Sequence, residues 1–256
     1  MTNTIRDKPV QKELRAFEKI VSSMYNLSFE IDCAEELGDM TRLADFYLAL
    51  PVLSTSLYRV LWASKGLMKD MFSHETQAAR TVLRLAKKLR QPILFRDALT
   101  ITVGNLGPDY NSKNDPFKDD EDLSKIVLQA HHRLCQLKLN ADYLTGHGRV
   151  YDGDANIWQS IMELGKFNER PDDHMSGADF YRKILETLRY FNDSEVTEAA
   201  ISALEALVEN NLGLTNEYYR KHCGGATGWM FLCTSIEDED LPWDPNETNS
   251  PRESRN

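Results

Sequence analysis

Arg84-Leu85-Ala86-Lys87-Lys88-Leu89-Arg90-Gln91-Pro92-Ile93-Leu94-Phe95-Arg96-Asp97-Ala98-Leu99 decides the fold. A near copy lies upstream, Arg42-Leu43-Ala44-Asp45-Phe46-Tyr47-Leu48-Ala49-Leu50-Pro51-Val52-Leu53. Each reads as helix, proline, helix. Arg-Leu-Ala opens the last turns of an amphipathic helix, and a proline then breaks it, because proline has no N–H and restricts the residue before it. Proline suits the first turn of the next helix, where its missing donor would have no partner anyway. Two such units in tandem predict helical hairpins stacked on a shared core, with Pro51 and Pro92 at helix starts and Leu43, Ala44, Leu85 and Ala86 buried.

Outward from this pair, apolar positions keep the helical period. Leu14, Phe17, Ile20, Val21 and Met24 mark a first helix from Gln11. Leu37, Met40, Leu43, Ala44 and Tyr47 share one face of a second, Ala34–Leu50. Val52–Leu67, Thr76–Arg90 and Ile93–Val103 follow. Gly104–Asp122, with its glycines, prolines, asparagines and acidic run, is a loop by composition. Beyond it, 123–139, 155–167, 176–191, 194–211 and 214–222 read as further helices, with a glycine-rich loop over 145–154. The expected class is therefore mainly α: stacked helix–Pro–helix units over 11–104, a linker over 105–122, and a second helical bundle over 123–236. At most one short strand is expected, near 229–236, paired with Leu27–Ile31 or laid on the helices as an extended tail. Residues 237–256 form an acidic tail whose last part is too polar to order.

The chain has 256 residues, 41% hydrophobic and 27% charged, enough for a sizeable core. Its net charge of −10 is uneven. Residues 1–104 hold 15 Lys/Arg against 12 Asp/Glu, and the remainder 15 against 28. So acidic a second half argues against phosphate-backbone binding, and no nucleic-acid partner is expected. Cys33, Cys135, Cys223 and Cys233 are scattered, which fits reduced thiols in a reducing compartment. Neither a signal peptide nor an apolar run of about 20 residues stands out, so a cytoplasmic or nuclear protein off the membrane is expected.

The segment from Phe17 to Gly104 resembles the C-terminal helical part of BTB/POZ domains, in the divergent form common in fungal proteins. Phe17-Glu18-Lys19-Ile20-Val21-Ser22-Ser23-Met24-Tyr25 carries the first part of the likeness. Leu43-Ala44-Asp45-Phe46-Tyr47, Ala49-Leu50-Pro51-Val52-Leu53 and the unit Ala86–Leu99 carry the rest. The ending Glu239-Asp240-Leu241-Pro242-Trp243-Asp244 is also similar to endings in that group. The resemblance implies a non-enzymatic protein-interaction module with protein partners, self-association among them. One departure is large. A complete BTB domain opens with strands that build its dimer interface and much of its cullin grip. No period-two alternation precedes Gln11 here, which puts cullin binding in doubt.

The residues offer little chemistry. His131 and Cys135, at i,i+4 on one helix face, are spaced like two zinc ligands. His222 and Cys223 would have to complete the set, without a recognisable finger spacing. An enzyme or zinc protein built on these dispersed residues is the competing reading, and a truncated product without independent function is a third. Gly224-Gly225-Ala226-Thr227-Gly228 lacks the lysine and flanking elements of a phosphate loop, so no cofactor is expected. Arg80, Arg84, Lys87 and Lys88 form a basic stripe, either an interaction surface or a solvated face. Trp62 and Trp158 read as core. Trp243, flanked by acids, needs somewhere to bury. We expect Trp229–Asp244 to pack back as a strap. Phe231 and Trp243 would anchor it with Leu241 between them, its acids running over the basic stripe.

Overall fold

Both prolines start helices. Pro51 sits in the first turn of the helix Leu50–Val60, and Pro92 is the first residue of Pro92–Gly104. The computed structural model describes residues 7–72, 77–106, 110, 113–147, 177–190, 195–209, 211–214 and 231–244. These residues form nine α-helices and no strand: α1 (Asp7–Met24), α2 (Ala34–Phe46), α3 (Leu50–Val60), α4 (Lys65–Met71), α5 (Gln77–Leu89), α6 (Pro92–Gly104), α7 (Glu121–His147), α8 (Gly177–Tyr190) and α9 (Glu195–Val208). Two units divide the chain. One comprises 1–102 with 236–256, the other 103–235.

In the first unit α2 packs against α1, α3, α4 and α5. The tandem likeness extends to the buried positions. Leu37, Met40, Thr41 and Ala44 of α2 are buried, and so are Ala79, Val82, Leu83 and Ala86 of α5, each 42 residues further on. Leu53, Ser56, Leu57 and Val60 of α3 match Phe95, Ala98, Leu99 and Thr102 of α6 at the same offset. The turns match as well. Leu48 and Arg90 have φ of 56° and 51°, and the next residue donates back to the last helical turn: Ala49 N to Ala44 O at 2.7 Å, Gln91 N to Ala86 O at 3.1 Å. This is the left-handed helix stop that closes the orphan carbonyls of a C-terminus. Asn26 (φ 60°) ends α1 the same way, with Leu27 N on Ser22 O at 2.8 Å.

The register corrects part of the sequence reading. Ala44 and Ala86 are fully buried, but Leu43 and Leu85 are only half-buried, and Leu83 takes the core position expected of Leu85. Trp62 is 47% exposed and no core residue; Trp158 lies outside the described residues. The span expected as one helix, 52–67, is split between α3 and α4. The buried Ser64 hydroxyl donates to Val60 O and accepts from Ile31 N at 3.0 Å, while Leu67 N donates to Ile31 O at 3.1 Å. The segment before α2 is thus threaded into the break. Asp70 of α4 then accepts from Ala34 N at 2.7 Å, placing a carboxylate on the N-terminus of α2.

In the second unit α9 packs on α7 and α8. Asp120 caps α7 by accepting from Leu123 N at 3.1 Å. The linker before it is anchored by Phe117, fully buried, and by Asp115, which accepts from Phe117 N at 2.8 Å and from the Ser124 hydroxyl. α7 continues through 145–147, where a loop was expected, with Thr145 buried and donating to Ala141 O at 2.7 Å. The segment near 229–236 forms no strand where it is described. Residues 231–236 carry no regular secondary structure and are almost wholly buried, with Cys233 N donating to Leu207 O at 2.8 Å. The expected helix at 155–167, and all of that at 214–222 beyond Leu214, lie outside the described residues.

Candidate functional site

α1 carries apolar residues over a wider arc than its own unit covers. Ala16, Ile20 and Ser23 face the core. Val10, Leu14, Phe17 and Met24 instead stay exposed, and with half-buried Val21 they follow a 4-3-4-3 spacing along one side. The C-terminal end of α2 adds to this side. Tyr47 packs edge-on against Phe17, ring centroids 5.8 Å apart, and Phe46 against Tyr47 at 5.0 Å. Phe46 is 77% exposed and the adjacent Leu48 89%. These seven large side chains, between 41% and 89% exposed, present an apolar patch on the order of 500 Å², the size that marks interaction surfaces. Leu48 adds a further signal, because a bulky residue at positive φ is strained and here gains no burial. The sequence reading set Leu14 and Phe17 in one helical period with Ile20, and Tyr47 on one face with Leu37 and Met40, without separating exposed from buried positions. The signal that separates them is the spacing of 10, 14, 17, 21 and 24, which is that of a helix-pairing seam.

The basic stripe is less uniform than its spacing implies. Arg84 and Lys88 are exposed and Arg80 and Lys87 half-buried, with Arg80 Nε buried and, among the described residues, without a hydrogen-bond partner. Lys88 pairs with Asp45 at 2.7 Å, linking the last turns of α5 and α2. A shallow groove of about 280 Å³ opens there, between Leu48, Leu50, Pro51 and Arg90.

The strap has its expected anchors but not the charge partner assigned to Asp238. Phe231, Ile236 and Leu241 are buried. Trp243 is half-buried, its ring edge-to-face with Phe95 at 5.3 Å. Asp238 pairs with Arg96 of α6, not with the α5 stripe. Residues 238–240 form a single 3₁₀ turn closed by reciprocal capping between Glu237 and Asp240. Gly104 lets the tail approach closely, since a Cβ there would lie 2.2 Å from Leu232 O. Residues 245–256 lie outside the described residues.

His131 and Cys135 do share a face, with Sγ 3.8 and 3.9 Å from the two ring nitrogens. Burial holds the His131 imidazole below its ordinary pKa, with His132 and Lys138 adding to the effect, and its ring packs edge-on against Tyr110 at 5.1 Å. Among the described residues no group of three or more His, Cys, Asp or Glu side chains is placed to hold a metal ion. His222 and Cys223 lie outside them. A groove of about 440 Å³ between α8 and α9 is lined by Arg182, Arg189, Glu186, Glu205 and Glu209 with apolar neighbours. Arg189 pairs with Glu205 at 2.7 Å and Arg182 with Asp179 at 3.4 Å. Among the described residues the polar part of this lining is charged, and these two ion pairs engage Arg182, Arg189 and Glu205. Nearby, burial and the hydrogen bond to Asp142 (2.7 Å) push the Tyr181 phenol far above its ordinary pKa.

No family model, no curated protein and no solved structure matches this chain. Among the described residues no helix is long and apolar enough to cross a membrane.

Proposed function

We propose that the chain is a non-enzymatic interaction protein, related to the C-terminal helical part of fungal BTB/POZ proteins, which works by presenting a shaped surface to protein partners. The observation that carries this reading is the exposed apolar patch of α1 and the α2 turn, with Leu48 held strained and 89% exposed at its end. Selection for stability alone would favour a polar residue or glycine at that position. Burying large apolar side chains on association yields about 1.5–3 kcal/mol each, which gives the patch a driving force. The basic stripe of Arg80, Arg84, Lys87 and Lys88 and half-buried Trp243 serve this reading as secondary contacts, while buried Leu241 only holds the strap in place.

The experiment is affinity capture with the full chain, comparing wild type with Tyr47→Glu and Leu48→Asp. Both positions are exposed, so the variants keep the helical circular-dichroism spectrum. The expected result is one or more proteins other than this chain, retained by wild type and lost by both variants. Identical retention by all three would sink the reading.

A further inference from the structure

We propose that the occupant of the α1 seam is a second copy of this chain, bound with the two α1 helices antiparallel. The inference rests on the interaction reading above and names its partner. Residues 10, 14, 17, 21 and 24 repeat every 3.5 residues on average, the spacing that keeps one side of a helix against another helix. The partner presented to this seam is therefore helical.

The seam is also complementary to itself. When Leu14 of one α1 lies opposite Phe17 of the second copy, the antiparallel register sets Phe17 opposite Leu14 and Val10 opposite Val21 on both sides of the two-fold axis. Every seam contact in this span is apolar, as an isologous interface requires. Phe46 and Tyr47 flank Phe17 and widen the contact. α1 has 18 residues, about 27 Å of helix. Such a pair, with its aromatic shoulder and polar rim, approaches the ~800 Å² per partner of a stable interface.

Charge selects the direction. In a parallel pair Glu13 would lie beside Glu18 of the second copy, two like charges at each flank. In the antiparallel register Glu18 comes level with the span between Gln11 and Arg15 of the second copy, a hydrogen-bond donor and a cation. Arg15 and Glu18 are both exposed in the single chain, and Glu13 is held within its own copy by Arg42 at 2.9 Å.

Sedimentation velocity of the full chain over micromolar concentrations tests this. We expect a dimer that Leu14→Glu and Phe17→Glu each convert to monomer with an unchanged circular-dichroism spectrum. Arg15→Glu and Glu18→Arg should each weaken the dimer roughly tenfold, because two symmetric pairs turn repulsive. The double swap Arg15→Glu with Glu18→Arg should restore it. A wild-type monomer at every concentration overturns the proposal, as does a dimer indifferent to Leu14→Glu. A dimer strengthened by Glu18→Arg alone also overturns it, being the signature of parallel pairing. Failure here is separable from failure of the interaction reading, which the capture experiment judges through other proteins.

Discussion

Gly66 shows what a single missing Cβ makes possible. At Gly66 an added Cβ would lie 2.5 Å from the Asp32 carbonyl oxygen, and that backbone is pinned by the hydrogen bonds between Ile31, Ser64 and Leu67. Gly66→Ala should therefore destabilise the chain by about 1–3 kcal/mol, as overpacking against an immobile wall does; urea unfolding of the variant checks it. His131 sets a pH dependence. Its pKa is lowered on folding from 6.5, so between the lowered value and 6.5 the unfolded chain holds the extra proton. The contribution to stability is complete above 6.5 and is lost as pH falls through the folded value. Melting curves taken from about pH 7.5 down to 5.5 should fall further for wild type than for His131→Gln. An identical fall in both would show that other groups carry it.

At the scale of elements, the tandem register separates neighbouring leucines. Leu83 is fully buried and Leu85 half-buried. Leu83→Ala should cost about 2–5 kcal/mol and Leu85→Ala clearly less, because the second leaves a smaller cavity; equal midpoint shifts would contradict the register. The strap is held by its apolar anchors. An aromatic pair such as Trp243–Phe95 contributes roughly 0.5–1.5 kcal/mol beyond burial, whereas the exposed Asp238–Arg96 pair adds little. With Trp62, Trp158 and Trp229 replaced by Phe, Trp243 emission should be shielded from quencher, and Phe95→Ala should expose it. A red-shifted, quenchable Trp243 before that substitution would mean that the tail does not dock on its own chain.

For the whole molecule, the proposed BTB relationship carries a prediction: the chain as given, whose described residues form helices and no strand, should show no submicromolar binding to a cullin N-terminal domain. A titration that saturates below micromolar concentration would show that the helices suffice as a grip. The helix–Pro–helix units were legible in the sequence because proline and the 3.6-residue period act locally, and so was the strap, because Trp229–Ile236 is too apolar to stay in water. Sequence alone did not decide which apolar residues reach the core. Leu14, Phe17 and Tyr47 satisfy the helical period as well as Ile20 and Met40 do, yet the first three stay exposed and the last two are buried. Periodicity gives a helix an apolar side, but its width is shared out only when neighbours arrive, and α2 and α3 cover one flank of α1 and leave the other. The break between α3 and α4, the choice of Arg96 for Asp238 and the pairing of Lys88 with Asp45 were likewise decided in the tertiary structure. Each depends on a partner 33 or more residues away, and no local pattern encodes such a distance.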